Sequence, residues 1–181
     1  TKLQRVLGIE EFSGRSLVQY IEDLGGLSDR MTLIHGIWVD GADLDLLAHR
    51  GTSVAHNPIS NLRLGSGVMP FRAMRDRGIS VCLGVDEAIA DDAVNMWSVM
   101  KTAGTLHTLT GDDETRWPTA REVLHAATAA GGHALHIQDL GTLREGAPAD
   151  LLLVDLSTLS FLPLNDLPHQ LVHAEFAQSG P

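Results

Sequence analysis

Residues Met31–Asp86 read MTLIHGIWVDGADLDLLAHRGTSVAHNPISNLRLGSGVMPFRAMRDRGISVCLGVD, and the alternation of short apolar runs with helical stretches here decides the fold. Met31–His35, Thr52–His56 and Ile79–Gly84 are short and nearly continuous in apolar character, as expected of strands buried on both faces of a parallel sheet. Between them, Ala42–Arg50 and Val68–Arg77 predict helices stopped by Gly51 and Gly78, with a long loop from His56 through Gly67. The strands start near residues 31, 52 and 79, so they lie 21 and then 27 residues apart, which suits adjacent βα units joined by right-handed crossovers. Each unit places a polar residue at the C-terminal end of its strand: His35, His56 and Asp86. In a (β/α) barrel that end holds the chemistry, because the βα loops surround a common mouth.

Working outward, Gly14–Gly26 spaces Leu17, Tyr20, Ile21 and Leu24 at helical intervals, with Gly25-Gly26 as the stop. Downstream, Ala93–Leu109 predicts a further helix. Trp117-Pro118-Thr119 opens an alanine-rich helix over Ala120–Ala130, with Pro118 in its first turn, and His133–Gln138 predicts a short second one. Gly141–Leu156 then reads as a glycine turn, a polar loop and a very apolar strand at Leu151–Asp155, followed by a weakly periodic tail over Ser157–Pro181.

Composition excludes several classes. Acidic residues outnumber basic ones 23 to 13, for a net charge of −10, which argues against nucleic acid or an anionic membrane as partner. Hydrophobic residues make up 44% of the 181, enough for a sizeable core, while aromatics at 4% make that core aliphatic. The single Cys82 rules out a disulfide framework or a cysteine-built metal site within one chain. No run approaches the length of a membrane span and no signal segment is recognisable, so a cytoplasmic setting is the expectation.

Nine histidines beside one cysteine point to nitrogen and oxygen ligands for any metal. There is no HExxH, HxH or paired-cysteine motif, no phosphate-binding loop and no Gly-x-Ser-x-Gly elbow. His133-x-x-His136 and His169-x-x-x-His173 have helix-compatible spacing, and their simplest reading is a solvated face.

Ala55–Gly67, AHNPISNLRLGSG, is of another quality. It resembles the HNPxSNxxLGSG signature of the amidohydrolase-superfamily deaminases and chlorohydrolases, the group of the S-adenosylhomocysteine, guanine and cytosine deaminases and the triazine hydrolases. In the same order, Leu33-Ile34-His35-Gly36 resembles the LxHG ending strand six, and Leu83-Gly84-Val85-Asp86 the GTD ending strand eight. Gly141–Leu156 resembles the passage returning to a small β-domain, and Val94–His107 looks most like the triazine-hydrolase branch. The implied fold is α/β, a partial (β/α)8 TIM barrel holding about strands six to eight. Residues 1–140 would be the C-terminal part of the barrel, and 141–181 the return segment toward the β-domain.

The resemblance also implies a chemistry. Family members hold one divalent metal, usually zinc or iron, which polarises a water for attack on an electron-poor ring carbon, expelling ammonia or chloride. By position, Asp86 would be both a metal ligand and the acceptor of the water's proton. His35 would hydrogen-bond the substrate or the developing intermediate. Glu87 and Asn61 are further candidates for substrate contact, although Asn57, Ser60 and Asn61 also suit the structural task of bonding their own loop backbone. His56 lies in the motif but matches no metal ligand and is left out of the site.

Two departures qualify the resemblance. Glu87 stands where the family has glycine, and Ala90-Asp91-Asp92 replaces Ser-Asn, which brings extra negative charge beside the mouth. The family's HxH on strand one, the metal-binding histidine of strand five and its neighbouring glutamate have no counterpart in this chain. The expectation is therefore a portion of a metal-dependent hydrolase acting on carbon–nitrogen bonds of a small heterocyclic substrate, inactive by itself and lacking the remaining metal ligands. Association into a homo-oligomer is expected of it. The alternatives are a non-catalytic half-barrel serving binding or assembly and, from the strand rhythm alone, a flavodoxin-like domain.

Overall fold

The computed structural model describes residues 14–92 and 94–174. Three short strands, β1 (Thr32–Ile34), β2 (Ser53–His56) and β3 (Val81–Leu83), form one parallel sheet in the order β1-β2-β3. The register pairs Leu33 with Val54 and Val54 with Val81, and one step on it pairs Ile34 with Ala55 and Ala55 with Cys82. Because side chains alternate across a strand, these two rows face opposite ways.

The first row is covered by helices. α1 (Leu17–Asp23) is started by a Ser16–Gln19 capping box, and α2 (Gly41–Arg50) by an Asp40–Asp43 box. Gly51 closes α2 in the left-handed conformation at φ +68°. Val18, Leu27, Leu44, Leu47, Met69, Phe71 and Met74 pack with Val54 and Val81 into one aliphatic core. The second row holds Ile34, Ala55 and Cys82, smaller and less uniformly covered: Ile34 is 52% exposed.

Between β2 and β3 lies the first difference from the sequence reading. The stretch expected as a long loop contains α3 (Pro58–Arg63), six helical residues with Pro58 at the start, where a missing N–H costs nothing. α4 (Phe71–Asp76) starts three residues later than the apolar pattern suggested, after Pro70.

After β3 come α5 (Ala88–Asp91) and α6 (Met96–Leu106), the latter capped by Asn95 and running into a 3-10 turn at His107–Thr110. The expected start of this helix at Ala93 lies outside the described residues. α7 (Ala120–Ala127) is capped by Thr119 and Glu122, so Pro118 precedes the cap instead of sitting in the first turn. The alanine-rich run breaks at Thr128 (φ −128°, ψ −97°), and α8 occupies Ala129–Ala134, not His133–Gln138. Arg72 ties α4 to the start of α7 through two 2.8 Å bonds to Glu122 and one to each of the Arg116 and Trp117 carbonyls.

α9 (Leu167–His173), within the tail read as weakly periodic, packs Val172 into a second core with Leu83, Val99, Met100, Ala103 and Val123. Its signal was present as an Asp166 cap followed by Pro168 in the first turn. Leu151–Asp155 forms no strand ladder with the described residues, and Leu151, Leu152 and Leu153 are 55%, 79% and 94% exposed. A strand needs a neighbour for its N–H and C=O groups, and apolarity alone does not supply one.

Candidate functional site

The three strands end at one edge of the sheet, and the residues just beyond them converge there. The β1 ladder runs one residue past the strand: the His35 N–H donates to the Ala55 carbonyl at 2.9 Å. At His35 the backbone then turns left-handed, with φ +69°. Asp86, three residues beyond β3, does the same at φ +64°. Each such turn costs a residue with a Cβ about 1–2 kcal/mol, and such residues gather where a side chain must be aimed. Here both turns aim at one point: His35 Nε2 and Asp86 Oδ2 face each other across 3.7 Å, with side chains 37% and 26% exposed.

The turn at His35 depends on Gly36. Its φ is +55°, and a Cβ there would lie 2.9 Å from Val54 Cγ1, inside the core. Gly84 has a comparable task on β3, since a Cβ would stand 2.4 Å from Asn57 Oδ1. The absence of a side chain lets Asn57 reach in between the ends of β2 and β3.

α3 supplies the floor of the site. Asn57, Ser60 and Asn61 are buried at 5%, 1% and 1% exposure. They do not bond their own loop backbone as expected: Asn57 makes no side-chain cap, and Asn61 Oδ1 lies 2.8 Å from His35 Nδ1. Asn61 is thus brought to the site but lies beneath His35. Ser60 and Asn57 were not singled out for the Asp86 environment, yet both face it.

The Asp86 carboxyl is held below its ordinary range. The Ser60 hydroxyl beside it is the largest cause, followed by the Glu87 amide, which donates to Oδ1 at 2.9 Å. Partial burial pushes the other way, and His35 and Asn57 add smaller lowering effects. Ser60 Oγ is close enough to favour the charge without completing a hydrogen bond of standard geometry. The carboxylate is therefore ionised at neutral pH.

Glu87 is exposed and acts as the N-cap position of α5 through its backbone. That helix starts at Ala88, two residues after Asp86 and closer than the sequence suggested. Asp92, part of the extra negative charge expected near the mouth, is paired with Arg63 at 2.6 Å.

His56 lies on the far side of the sheet. It is fully buried, with Nε2 3.1 Å from His107 Nε2, and Phe71 stacks near His107 at 5.3 Å between ring centres. Burial, with the neighbouring His107 and His35, lowers the His56 pKa to about 3; burial, with Arg72, lowers that of His107 to about 4. Nothing in the sequence signalled this pair, because the two rings are 51 residues apart. The ring centres of the spaced pairs His133/His136 and His169/His173 lie 6.5 Å and 4.4 Å apart, and His133 Nδ1 is 3.4 Å from Ser53 Oγ at the opposite, starting end of β2.

Among the described residues no group of three or more His, Cys, Asp or Glu side chains is placed to hold a metal ion. Asp86 offers one carboxylate with His35 opposite it, so these residues do not by themselves fit a metal. No described helix is long and apolar enough to cross a membrane.

The pattern of the amidohydrolase family matches residues 7–179. A 5-methylthioadenosine/S-adenosylhomocysteine deaminase of Nitratidesulfovibrio vulgaris is 40% identical over 166 residues, covering 92% of this chain and 37% of the relative. The crystal structure of an adenosine deaminase from Xanthomonas campestris with bound zinc superposes with a TM-score of 0.85 at 34% identity, covering 89% of this chain and 37% of that one. The zinc complex of atrazine chlorohydrolase TrzN from Arthrobacter aurescens gives 0.88 at 28% identity, covering 93% and 37%. The chain thus spans well under half the length of the proteins it matches, and the likeness implies a TIM-barrel-like α/β fold. On the family match, together with strand-end residues that its motifs place at one point, this chain belongs to the amidohydrolase family.

Proposed function

We propose that these residues form part of the mouth of a metal-dependent hydrolase of the deaminase or chlorohydrolase type. In this reading β1, β2 and β3 are barrel strands six to eight, residues 1–140 belong to the barrel, and 141–181 lead toward a small β-domain. The observation that carries the proposal is the His35–Asp86 pair: two left-handed strand ends facing across 3.7 Å, one of them a carboxylate held ionised. Left-handed backbone at two non-glycine residues costs energy and clusters at functional sites, which favours this reading over a purely structural contact.

The divalent ion proposed for the complete site is zinc, the metal named in two of the similar structures, or iron. Asp86 would supply one ligand and segments beyond these residues the others. For this chain's own groups the chemistry is proton handling. Asp86 takes the proton of the water that attacks a ring carbon of a purine, pyrimidine or triazine-like substrate. As the carbon–oxygen bond forms and the carbon–nitrogen bond breaks, the proton held by Asp86 passes to the departing nitrogen, which leaves as ammonia; in the chlorohydrolase case the carbon–chlorine bond breaks and chloride leaves as the anion. His35 Nε2 hydrogen-bonds the substrate or the charge developing on its ring. Glu87, exposed beside the mouth, favours a cationic or donor-rich ring.

The test is metal analysis of the complete protein together with a screen of aminopurine and triazine substrates for release of ammonia or chloride. Stoichiometric zinc or iron with turnover supports the reading. A metal-free protein inert toward every heterocycle, including after reconstitution, would overturn it. In isolation the 181 residues are expected to associate, because β1 and β3 are the outer strands of the sheet. A clean monomer in sedimentation would count against that.

A further inference from the structure

Asp86 opens a short segment that ends as it begins. The backbone is left-handed at Asp86 (φ +64°) and again at Asp92 (φ +56°), with the single turn of α5 between them. Three amides hold this conformation. The Glu87 N–H donates to Asp86 Oδ1 at 2.9 Å, the Ala90 N–H to the Glu87 carbonyl at 2.9 Å and the Asp92 N–H to the Ala88 carbonyl at 2.6 Å. A helix of four residues does not stand on its own, because too few bonds follow the costly first turn. Burial adds little: Ala90 is buried, but Glu87, Ala88, Ile89 and Asp92 are exposed. The segment therefore has to be held by its surroundings.

α3 packs alongside α5 and grips it at both ends. Asn57 and Ser60 face Asp86, while Arg63, the last residue of α3, donates from Nη1 to Asp92 Oδ2 at 2.6 Å. Arg63 follows Asn57 by six residues and Asp92 follows Asp86 by six, so the two segments meet at matched points. Arg63 falls on an unspecified position of the HNPxSNxxLGSG signature, and Asp92 lies where this sequence departs from the family pattern. The far grip is thus built from this chain's own residues. We propose that Arg63 is a positioning residue: by holding Asp92 it keeps Glu87–Asp92 in the conformation that places the Glu87 amide on the Asp86 carboxylate.

The side chains of the pair are 46% and 72% exposed. An exposed pair of this kind shifts a local equilibrium by roughly twofold to fivefold and is weakened by salt. That is too little to hold a domain together, yet enough to set how often a one-turn segment opens. For the hydrolase reading, on which this consequence rests, the surroundings of Asp86 become sensitive to ionic strength, and the Glu87 side of the mouth loosens as salt rises. The grip itself requires no catalysis.

Hydrogen–deuterium exchange of the complete protein, read by mass spectrometry on peptides covering Glu87–Asp92, tests the grip. Arg63→Gln and Asp92→Asn should each speed exchange of this segment roughly twofold to fivefold, while the strand peptides and the urea midpoint stay in place. Asparagine tolerates left-handed backbone as aspartate does, so Asp92→Asn removes the charge without adding strain. The double variant should exchange no faster than either single one, and Arg63→Lys, which keeps the charge, should stay near the parent. Raising salt from about 0.05 M to about 0.5 M should speed the segment in the parent but not in the double variant. Unchanged exchange in both single variants, additive effects in the double variant, or a parent indifferent to salt would each overturn the grip. Should Arg63→Gln not fold, Asp92→Asn and the salt series decide. No turnover is read, so failure of the hydrolase reading and failure of the grip are separate results.

Discussion

His35 and His56 occupy equivalent places: each ends a strand, and the register that pairs Ile34 with Ala55 brings the two histidines level across the sheet. Uninterrupted pleating would send both side chains toward the helices, with Leu33 and Val54. His56 goes there and is sealed against His107 with a pKa of about 3. His35 does not, because its backbone turns left-handed and carries the ring to Asp86. The residue next in the chain accounts for the difference in each case. His35 precedes Gly36, which has no Cβ to strike Val54. His56 precedes Asn57-Pro58, and proline keeps the residue before it on the extended side (Asn57 φ −114°, ψ +73°). Two identical side chains thus become a part-exposed strand-end group and a core residue through the backbone freedom of their neighbours.

The comparison can be broken from either side. The largest effect is expected at the mouth: Asp86→Asn in the complete enzyme should lower kcat/KM on the order of a thousandfold, because charge and basicity disappear together. Near-normal turnover by that variant would remove Asp86 from the chemistry. On the buried side, His56→Ala should cost about 3 kcal/mol of stability in denaturant titrations, from the cavity and the stranded His107.

The buried pair also gives the protein an acid limit. In the unfolded chain both imidazoles titrate near 6.5, whereas in the fold His56 and His107 stay neutral down to about 3 and about 4. The unfolded state therefore binds more protons between those values. The pair's contribution is intact above about pH 6.5 and is lost progressively as the pH falls toward 3, by a few kcal/mol in all. Urea midpoints measured from pH 7 to pH 4 should show this slope, and His56→Ala should flatten it. A slope unchanged by that variant would place the acid sensitivity elsewhere.

Smaller effects sharpen the backbone argument. Gly36→Ala should destabilise by about 2 kcal/mol and detach His35 from Asp86, since the new Cβ meets Val54 and the residue must hold a positive φ. His35→Gln should move stability by no more than about 0.5 kcal/mol while depressing activity, the opposite of His56→Ala. A large stability loss in His35→Gln would mean that the two histidines are alike after all.

Much of this was legible in the residues. Three apolar runs with polar ends marked the parallel strands, and the motifs around His35 and Asp86 marked both as site candidates, which the structure places face to face. His56, left out of the site, is fully buried beside His107. Less legible were α3, hidden in a polar motif that looked like loop, and α9, whose weak pattern hid an Asp166 cap. Leu151–Asp155 read as a strand from its own side chains, but a ladder is a property of two chains of residues, and no described segment supplies the second.

The sequence by itself determined the α/β class, the order of the three strands and the residue types available at each strand end, because these depend on local periodicity and on the conformations glycine and proline permit. Only the tertiary structure decided that Asn61 lies under His35, that His56 meets His107, and that the Asp86 carboxylate is held charged by Ser60 and its own following amide. The first two of these contacts join residues 26 and 51 positions apart, and no period in the chain encodes the distance between two side chains that meet only after the sheet has formed.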